Sequence, residues 1–400
     1  MHRYGVVVII AAGLVLALTF GARQSFGLYL SPISTDLGWS IAVMSLALAI
    51  QSLFWGLGQP FFGWMADRFG TGRTLVIGTA IYAAGLFYAS HMQTPEEAYF
   101  SVGILVGIGA AGCGMPIVMT AVVRVFPKER HPLVMALTAS GVSLGQFLVT
   151  PAAPIVIEAY GWRAGLLGFI GLIGIVMLLA ALLRSRPVAP VRALEADQSL
   201  REALAEAWGH SGYLLLTAGF FVCGFHVQFI VTHLPNFIAE CGLPATTGGW
   251  AMSAIGIFNL IGTTAAGFLG SRYRMKYLLS ILYTLRALMF AIYAFTPVTT
   301  TTTLIFAAGL GLAWLSTVPL TSALVGRIFG TRYLGTLFGI VFLSHQAGSF
   351  LGSWLGGYIF EATGGYDTIW LINIGLGLFA ALIHLPIADK PLTRPMAQPA

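Results

Sequence analysis

The chain consists of long runs of apolar residues separated by short polar segments. A membrane-spanning helix needs about 20 mostly apolar residues, because the hydrocarbon layer is about 30 Å thick. Glycine recurs within the runs, which suits close helix packing in lipid. The pattern predicts twelve transmembrane helices, at Tyr4–Leu30, Ile41–Met65, Thr74–Ser90, Tyr99–Val123, Pro132–Ile157, Ala164–Leu183, Gly212–Ile238, Thr247–Leu269, Tyr277–Phe295, Leu304–Gly326, Leu334–Phe360 and Thr368–Ile387.

The composition indicates a membrane protein rather than a soluble one. Of the 400 residues, 57% are hydrophobic and 8% are charged, against about 25% charged in a typical soluble domain. The net charge of +6 is spread over short loops, so the sequence offers no basic face for nucleic acid. Three cysteines cannot form a disulfide framework, and the first apolar run is too long for a cleaved signal peptide.

The positive residues predict how the spans are oriented. If the N-terminus is cytoplasmic, every Lys and Arg except Arg23, Arg163 and Arg286 lies in a cytoplasmic segment. An excess of positive charge in short loops marks the cytoplasmic side of a membrane protein. We therefore expect a multi-pass protein of a bacterial-type inner membrane, with both termini in the cytoplasm.

The sequence contains two weakly related halves. The segment 63–70 after the second span recurs in degenerate form at 267–274 after the eighth, about 203 residues later, and Gly145 recurs as Gly348. Internal repeats of this kind are typical of transporters built from two bundles. We predict an all-α membrane protein with two pseudo-symmetric six-helix bundles at 1–185 and 211–388, a linker at 186–210 and a tail at 389–400.

The linker contains a short predicted helix. Ser199 with Glu202 three residues later has the sequence of a capping box. Leu200, Leu204 and Trp208 then lie on one face of the helix, since they are four residues apart. We expect an amphipathic helix on the cytoplasmic membrane surface that tethers the two bundles.

The loop after the second span carries a recognisable pattern, Gly-x-x-x-Asp-Arg-x-Gly with a further arginine, at Gly63, Asp67, Arg68, Gly70 and Arg73. With its degenerate copy after the eighth span, it resembles the signature loop of the major facilitator superfamily. The resemblance covers essentially the whole chain and implies two bundles that rock about a central substrate site. It also implies a cytoplasmic latch, in which Asp67 accepts hydrogen bonds at a helix N-terminus and Arg68 bridges to carboxylates or lipid phosphate.

Within that superfamily, the chain is most similar to the monocarboxylate-transporter branch and its bacterial relatives. The similarity lies in residues 4–8 and 20–27 of span one. It also lies in residues 130–136, followed by Gly141 and Gly145, at the entry to span five. The resemblance implies that spans one, four, seven and ten surround the substrate cavity.

Two positions depart from the pattern of that branch. Gln24 stands where characterised members carry a lysine in span one. Asn259 and Thr263 stand where they carry an acid and an arginine in span eight, and that arginine binds the substrate carboxylate. The familiar clamp is therefore missing, and the substrate need not be a simple lactate-like acid.

Charged residues at bilayer depth are candidates for function, because each costs at least about 2.5–3.5 kcal/mol on insertion scales. Arg23 in span one and Arg286 in span nine have this position, and no acidic residue of the sequence lies at mid-depth. An anionic substrate can serve as the counter-ion of an arginine; the alternative is that each arginine binds backbone carbonyls and amide side chains. We expect Arg23 to contact substrate and Arg286 to be structural.

Two histidines are candidates for proton coupling, because imidazole titrates near neutral pH. They are His226 in span seven and His345 in span eleven; the alternative is that each is a hydrogen-bonding residue in helix packing. Polar and aromatic residues of the spans expected at the cavity complete the candidate substrate site, although such residues also serve as packing contacts. They are Gln24, Gln51, Asn259, Thr263, Trp314 and Gln346.

These observations predict a secondary active transporter for a small organic anion, with a carboxylate as the expected substrate and proton symport as the expected coupling. An exporter of amphipathic or neutral compounds is the first alternative, because the span-eight arginine is absent. A membrane-embedded enzyme or receptor is the second, but the sequence shows neither a catalytic constellation nor a large soluble domain. We expect a monomer without cofactor, metal or nucleic-acid partner.

Overall fold

The structure is a computed structural model that describes residues 3–127, 130–184, 199–330 and 333–392. Within these ranges the chain forms helices and turns, without a β-strand. Ten helical stretches of the described residues are long and apolar enough to cross a membrane. Two further helices of 19 residues each, Thr71–Ala89 and His131–Val149, complete twelve spans. The predicted all-α membrane fold is confirmed.

The spans are numbered α1 to α12 in chain order. The first span extends past the predicted end at Leu30, because a 3₁₀ turn at Phe26–Tyr29 leads into a further helix, Leu30–Leu37. The fifth and sixth spans are separated at Gly161, whose φ of +81° turns the chain. The spans are α1 Tyr4–Leu37, α2 Ile41–Phe69, α3 Thr71–Ala89, α4 Pro95–Val123, α5 His131–Val149 continued by 152–160, α6 162–179, α7 Ser211–Glu240, α8 Ala245–Gly270, α9 Met275–Ala294, α10 Thr300–Phe329, α11 Leu334–Thr363 and α12 Asp367–His384.

Spans α1–α6 form one bundle and spans α7–α12 the other, each with its own apolar core. Aromatic rings fill much of the second core. Phe229, Tyr293 and Phe306 surround Trp370, with ring centroids 5.2, 5.5 and 5.9 Å from it. Because lipid is as apolar as these side chains, close packing rather than exclusion of water holds such helices together.

Two pairs of spans approach each other through glycine. Gly145 of α5 lies against the backbone of Ala17 in α1, and Gly348 of α11 lies against the backbone of Phe221 in α7. A Cβ atom at either position would overlap the facing main chain, so any larger residue must push the helices apart. The two glycines occupy equivalent positions in the two halves, as expected for pseudo-symmetric bundles.

Spans α4 and α10 are each interrupted near the middle. In α4 the helix Val106–Gly112 gives way to Met115–Val123, and in α10 the helix Thr300–Ala313 gives way to Thr317–Phe329. Pro116 and Pro319 follow the two breaks. Proline is tolerated in the first turn of a helix, where its missing amide hydrogen is not needed.

Two polar side chains satisfy the backbone groups at the break in α10. Arg286 of α9 is fully buried and donates hydrogen bonds to the carbonyl oxygens of Ala313, at 3.0 and 2.8 Å, and of Trp314. Asn259 Oδ1 of α8 accepts the amide hydrogen of Leu315 at 2.9 Å. The last carbonyls of a helix carry partial negative charge, so an arginine is favourable there. This agrees with the structural role expected for Arg286.

Ion pairs lie at both ends of the molecule. Where α1 ends, Asp36 accepts hydrogen bonds from Arg163 Nη1, at 2.6 Å, and from Trp162 Nε1, at 2.9 Å. Where α2 ends, on the opposite side of the bundles, Asp67 pairs with Arg124 at 3.0 Å. The two sides are called the Asp36 end and the Asp67 end below.

The predicted linker helix forms at Leu200–Trp208. Ser199 Oγ accepts the amide hydrogen of Glu202 at 3.3 Å, and the Glu202 carboxylate accepts the Ser199 amide hydrogen at 2.7 Å, so the capping box is present. Leu200 and Trp208 are exposed, which leaves an apolar surface beside the bundles. The preceding part of the predicted linker, residues 186–198, lies outside the described residues.

Candidate substrate site between the bundles

Arg23 lies near the end of the first helical segment of α1, where the two bundles meet. Its side chain is buried (7% exposed). Its Nη2 donates hydrogen bonds to Ser52 Oγ of α2, at 3.2 Å, and to Gln228 Oε1 of α7, at 3.4 Å. The guanidinium carbon lies 4.2 Å from the ring centre of Trp55. Arg23 therefore contacts both bundles.

The charge of Arg23 is only partly compensated. None of the ion pairs formed by the described residues includes Arg23, and its Nε has no hydrogen-bond partner. A buried ion needs an opposite charge or complete hydrogen bonding to offset the loss of water. Hydrogen bonds to a carboxylate are about twice as strong as those to a neutral acceptor. The position therefore favours an anion as the missing partner.

A chain of hydrogen bonds leads from Arg23 toward the Asp36 end. Gln228 Nε2 donates to Thr232 Oγ1 at 3.1 Å, and Thr232 Oγ1 lies 3.1 Å from Ser353 Oγ of α11. Ser353 Oγ donates to the carbonyl oxygen of Ser45 in α2 at 2.8 Å, which returns the chain to the first bundle. The series Arg23–Gln228–Thr232–Ser353–Ser45 is called the gate chain below.

A second hydrogen bond joins α11 to α2 beside the gate chain. Gln346 Nε2 donates to the carbonyl oxygen of Ser52 at 2.7 Å, and its Oε1 lies 2.8 Å from Nδ1 of His345. The imidazole of His345 stacks on the ring of Phe342, with centroids 5.6 Å apart. Two predicted site residues, Gln346 and His345, are thus joined through Ser52 to Arg23.

A further contact between the two bundles joins α5 to α8. Asn259 Nδ2 donates to Ser143 Oγ of α5 at 3.1 Å, and Thr263 Oγ1 donates to Asn259 Oδ1 at 3.1 Å. These two positions are those at which the monocarboxylate branch carries an acid and an arginine. Here they hold a neutral pair whose members bond to each other, so the pair adds no positive charge to the site.

Among the residues that the structure describes, two buried glutamines have side-chain polar atoms without hydrogen-bond partners. They are Oε1 of Gln24 and both Oε1 and Nε2 of Gln146, which lies against Gly256 of α8. An unpaired buried polar group costs about 1–3 kcal/mol, so both amides remain available to a substrate. Sequence reasoning missed Gln146. Its position directly after Gly145 is the signal that could have found it.

Three other predicted site residues lie away from Arg23. Gln51 Nε2 donates to the carbonyl of Val102 at 3.2 Å inside the first bundle. His226 Nε2 lies 3.0 Å from the carbonyl oxygen of Asn373 inside the second bundle. Trp314 is 1% exposed within the second core, at the break in α10. The structure therefore does not bring these three side chains together with Arg23.

The signature loop forms local contacts at the Asp67 end. Asp67 pairs with Arg124, which follows α4, and no hydrogen bond within the described ranges joins its carboxylate to a helix N-terminus. The guanidinium carbon of Arg68 lies 5.6 Å from the ring centre of Trp64. Gly70 has a φ of +90° between α2 and α3, a conformation that favours glycine. The other two motif residues are half-buried Gly63 and exposed Arg73.

A cleft of about 410 Å³ lies at the Asp36 end between the two bundles. Its lining includes Ser31 of α1, Glu158 of the α5 continuation and Asn236 of α7. Arg23 does not line this cleft. We locate the candidate site at Arg23 instead, because a buried positive charge that contacts both bundles lies there, with an Nε that has no hydrogen-bond partner among the described residues.

Comparison with protein families agrees with this architecture. The family model of the Major Facilitator Superfamily matches residues 12–317 and 216–399. The chain belongs to the major facilitator superfamily, and it is a multi-pass membrane transporter rather than an enzyme. The family predicted from the signature loop is confirmed.

Sequence relatives include carriers of the predicted branch. Monocarboxylate transporter 13 of Bos taurus is 24% identical, over 98% of this chain and 92% of that protein. The oxalate:formate antiporter of Oxalobacter formigenes is 26% identical, over 96% and 93%. The uncharacterized MFS-type transporter YcxA of Bacillus subtilis is 26% identical, over 92% and 91%.

Solved structures share the fold. The nucleoside transporter NupG matches with a TM-score of 0.78 at 17% identity, over 96% of this chain and 100% of that one. A D-xylose-proton symporter matches with a TM-score of 0.77 at 16% identity, over 98% and 100%. At these identities the likeness concerns the fold, two six-helix bundles facing each other.

Proposed function

We propose that the protein transports a small organic anion by alternating access, and that the site recognises a carboxylate. The observation that carries this proposal is Arg23, a buried cation between the bundles with neutral acceptors and an unpartnered Nε. A carboxylate can accept two parallel hydrogen bonds from one guanidinium. Trp55 adds an aromatic face beside the cation, against which a carbon skeleton can pack.

The names of two relatives support this substrate class, since one is a monocarboxylate transporter and another an oxalate:formate antiporter. Asn259 and Thr263 are both neutral, so these two positions of span eight offer no positive charge to a substrate carboxylate. We therefore assign the substrate carboxylate to Arg23, on the opposite bundle. Gln24, Gln146 and Asn259 are proposed to bind the rest of the substrate.

Proton symport is the proposed coupling, with His345 as the proton carrier. His345 bonds to Gln346, which in turn reaches the Arg23 site through Ser52. His226 bonds to the backbone inside the second bundle and has no such connection. This difference favours His345 over His226.

The proposed location is the inner membrane, with both termini and the Asp67 end in the cytoplasm and a monomer as the working unit. The positive loops support this orientation, because Arg124 and Arg274 lie at the Asp67 end. A reporter enzyme fused after His210 tests it. Reporter activity in the periplasm would overturn the proposed orientation.

Exchange of Arg23 tests the substrate assignment. Arg23→Gln is expected to weaken anion binding at least about tenfold, because it removes charge-assisted hydrogen bonds each worth about 1.5–3 kcal/mol. Uptake of labelled oxalate, formate and lactate into proteoliposomes measures transport. The thermal shift of the purified protein with the same anions measures binding.

Arg286→Lys is the matched control, since it changes a buried arginine that bonds to backbone carbonyls. It is expected to lower thermal stability while the anion still binds with wild-type affinity. Unchanged anion binding in Arg23→Gln would remove Arg23 from the site.

The alternative function is export of amphipathic or neutral compounds. It is suggested by Thr263, which stands where the monocarboxylate branch carries an arginine. A deletion strain tested for susceptibility to such compounds distinguishes the two functions. Increased susceptibility together with no anion-dependent thermal shift would favour the exporter.

A further inference from the structure

The hydrogen bond between Arg23 and Gln228 is the part of the gate chain that involves the cation to which the proposed function assigns the substrate anion. Arg23 Nη2 donates to Gln228 Oε1 at 3.4 Å, which is long for a hydrogen bond. The acceptor is a neutral amide, whereas a carboxylate is a stronger acceptor for the same nitrogen. An anion that binds Arg23 therefore competes directly with Gln228.

We propose that Gln228 is the positioning residue through which anion binding releases the hydrogen bonds that join the two bundles toward the Asp36 end. This inference rests on the proposed role of Arg23 in binding the anion. When a carboxylate takes Nη2, the Gln228 amide loses its fixed orientation. Its donor bond to Thr232 is then lost, and the link from Ser353 to Ser45 is weakened.

The directions of the hydrogen bonds explain why one lost bond affects the whole chain. Ser353 donates its hydroxyl hydrogen to Ser45, so Thr232 must donate to Ser353, and Gln228 donates to Thr232. Every bond thus points the same way, from Arg23 toward Ser45. Hydrogen bonds in such a chain polarise and strengthen one another. Removing the first bond therefore weakens those that follow.

The chain also crosses between the bundles twice, from α1 to α7 and from α11 to α2. Separation of the bundles at the Asp36 end must break both crossings. Ser253 of α8 makes a crossing bond of similar kind, to the carbonyl oxygen of Phe147 in α5 at 2.9 Å, and it is not part of the gate chain. Substrate bound at Arg23 does not compete for that bond, which makes Ser253 a matched control.

Distance measurements on the full-length protein in lipid test the proposal. Spin labels at Tyr160 and Phe295, which are 77% and 76% exposed at the Asp36 end of the two bundles, report their separation by pulsed electron paramagnetic resonance. Exposed Cys241 is first replaced by serine. The probe is whichever of oxalate, formate or lactate gives the largest thermal shift of the wild-type protein.

In the wild-type protein the anion is expected to lengthen the distance between the labels. Gln228→Ala should show the longer distance without anion and change little when anion is added. Ser253→Ala should keep an anion-dependent change of wild-type size. A wild-type response to anion in Gln228→Ala would overturn the proposal.

Anion affinity gives a second, independent readout. Gln228→Ala is expected to bind the anion about two- to tenfold more tightly, because a competing hydrogen bond is gone. Gln228→Glu should bind at least about tenfold more weakly, because the anion must displace a fixed carboxylate from Arg23. Weaker binding in Gln228→Ala would contradict the competition.

The two proposals fail in different ways. If none of the three anions binds, or if Arg23→Gln binds them normally, the proposed function is wrong. If Arg23 is needed for binding and Gln228→Ala still responds like the wild-type protein, only the proposed release through Gln228 is wrong, and the proposed function stands.

Discussion

At the scale of single residues, the two buried arginines differ in what surrounds them. Arg286 is held by backbone carbonyls at the end of a helical segment, which are fixed acceptors. Arg23 is held by Ser52 and Gln228, whose side chains can rotate away. Among the described residues each arginine has one nitrogen without a hydrogen-bond partner, Nη1 of Arg286 and Nε of Arg23, so the difference lies in the acceptors that hold them. The same residue type is therefore structural in one bundle and available to a ligand between the bundles.

Exchange of His345 tests proton coupling at this scale. His345→Asn keeps a polar side chain beside Gln346 but removes the titratable group. It is expected to abolish proton uptake that accompanies anion uptake, while anion exchange continues. A pH-sensitive dye inside proteoliposomes measures the proton movement.

His226→Asn is the control for that experiment, since His226 bonds to Asn373 inside the second bundle. It is expected to preserve the proton movement. Normal proton uptake in His345→Asn would reject His345 as the carrier.

The sequence predicted which spans carry polar residues better than it predicted where each side chain points. Gln51 and Ser52 are neighbours in α2, and consecutive helical residues point about 100° apart. Gln51 bonds to Val102 within its bundle, whereas Ser52 bonds to Arg23. A helix that is apolar on all sides has no polar face to reveal its rotation. For this reason Gln51 and His226 were predicted at the site, while Ser52 and Gln146 were missed.

At the scale of elements, Pro116 and Pro319 indicate the breaks in α4 and α10, and they occupy equivalent positions in the two halves. A proline in the sequence marks a place where a helix loses a backbone hydrogen bond. It does not indicate which distant side chain supplies the replacement bond. The bonds of Arg286 and Asn259 to the break in α10 come from other spans, so they required the folded structure.

The close contact between α1 and α5 at Gly145 predicts that a larger residue at this position destabilises the packing of the two helices. Gly145→Ala places a methyl group against the backbone of Ala17, and overpacking of this kind costs about 1–3 kcal/mol. We expect a clear loss of thermal stability and of transport. Unfolding of the purified variant in detergent, followed by intrinsic fluorescence, measures it.

Gly168→Ala in α6 is the matched control, because no atom lies within 4 Å of its added Cβ. It is expected to leave stability unchanged or slightly raised, since alanine favours helix more than glycine does. Equal stability of the two variants would show that the α1–α5 contact tolerates separation.

At the scale of the whole molecule, twelve spans and two bundles follow from the apolar runs and the repeat, because lipid requires every spanning segment to satisfy its own backbone. The hydrogen bonds that join the two bundles could not be predicted. A carrier has two packings of the same helices that differ little in energy, and a sequence encodes both. Cross-bundle bonds such as Ser353 to Ser45 and Asn259 to Ser143 belong to one of them.

A pH-dependent contact is predicted at the Asp67 end. Arg274 donates hydrogen bonds to both oxygens of Asp389, at 3.0 and 2.6 Å, and these bonds lower the pKa of Asp389 below its ordinary value of 3.8. A carboxyl group whose pKa is lowered in the folded protein stabilises the fold at pH values above its ordinary pKa. This stabilisation is lost as the pH falls through the lowered pKa.

Asp389→Asn is therefore expected to be less stable than the wild-type protein at pH 7. The difference should shrink below pH 3.8 and vanish once the wild-type carboxyl is protonated. Thermal unfolding of both proteins across this pH range measures it. A difference that stays constant from pH 7 to the acid limit would contradict the assignment.

The partly compensated charge of Arg23 also has an electrical consequence. An empty carrier bears one positive charge at the interface, a monovalent cargo cancels it, and a divalent cargo reverses it. A unit charge that crosses the full membrane field changes its energy by about 2.3 kcal/mol per 100 mV. The proton proposed to travel on His345 adds one positive charge to the loaded carrier, which is then positive with a monovalent cargo and neutral with a divalent one. Voltage therefore acts on the empty return step in both cases, and on the loaded step as well when the cargo is monovalent.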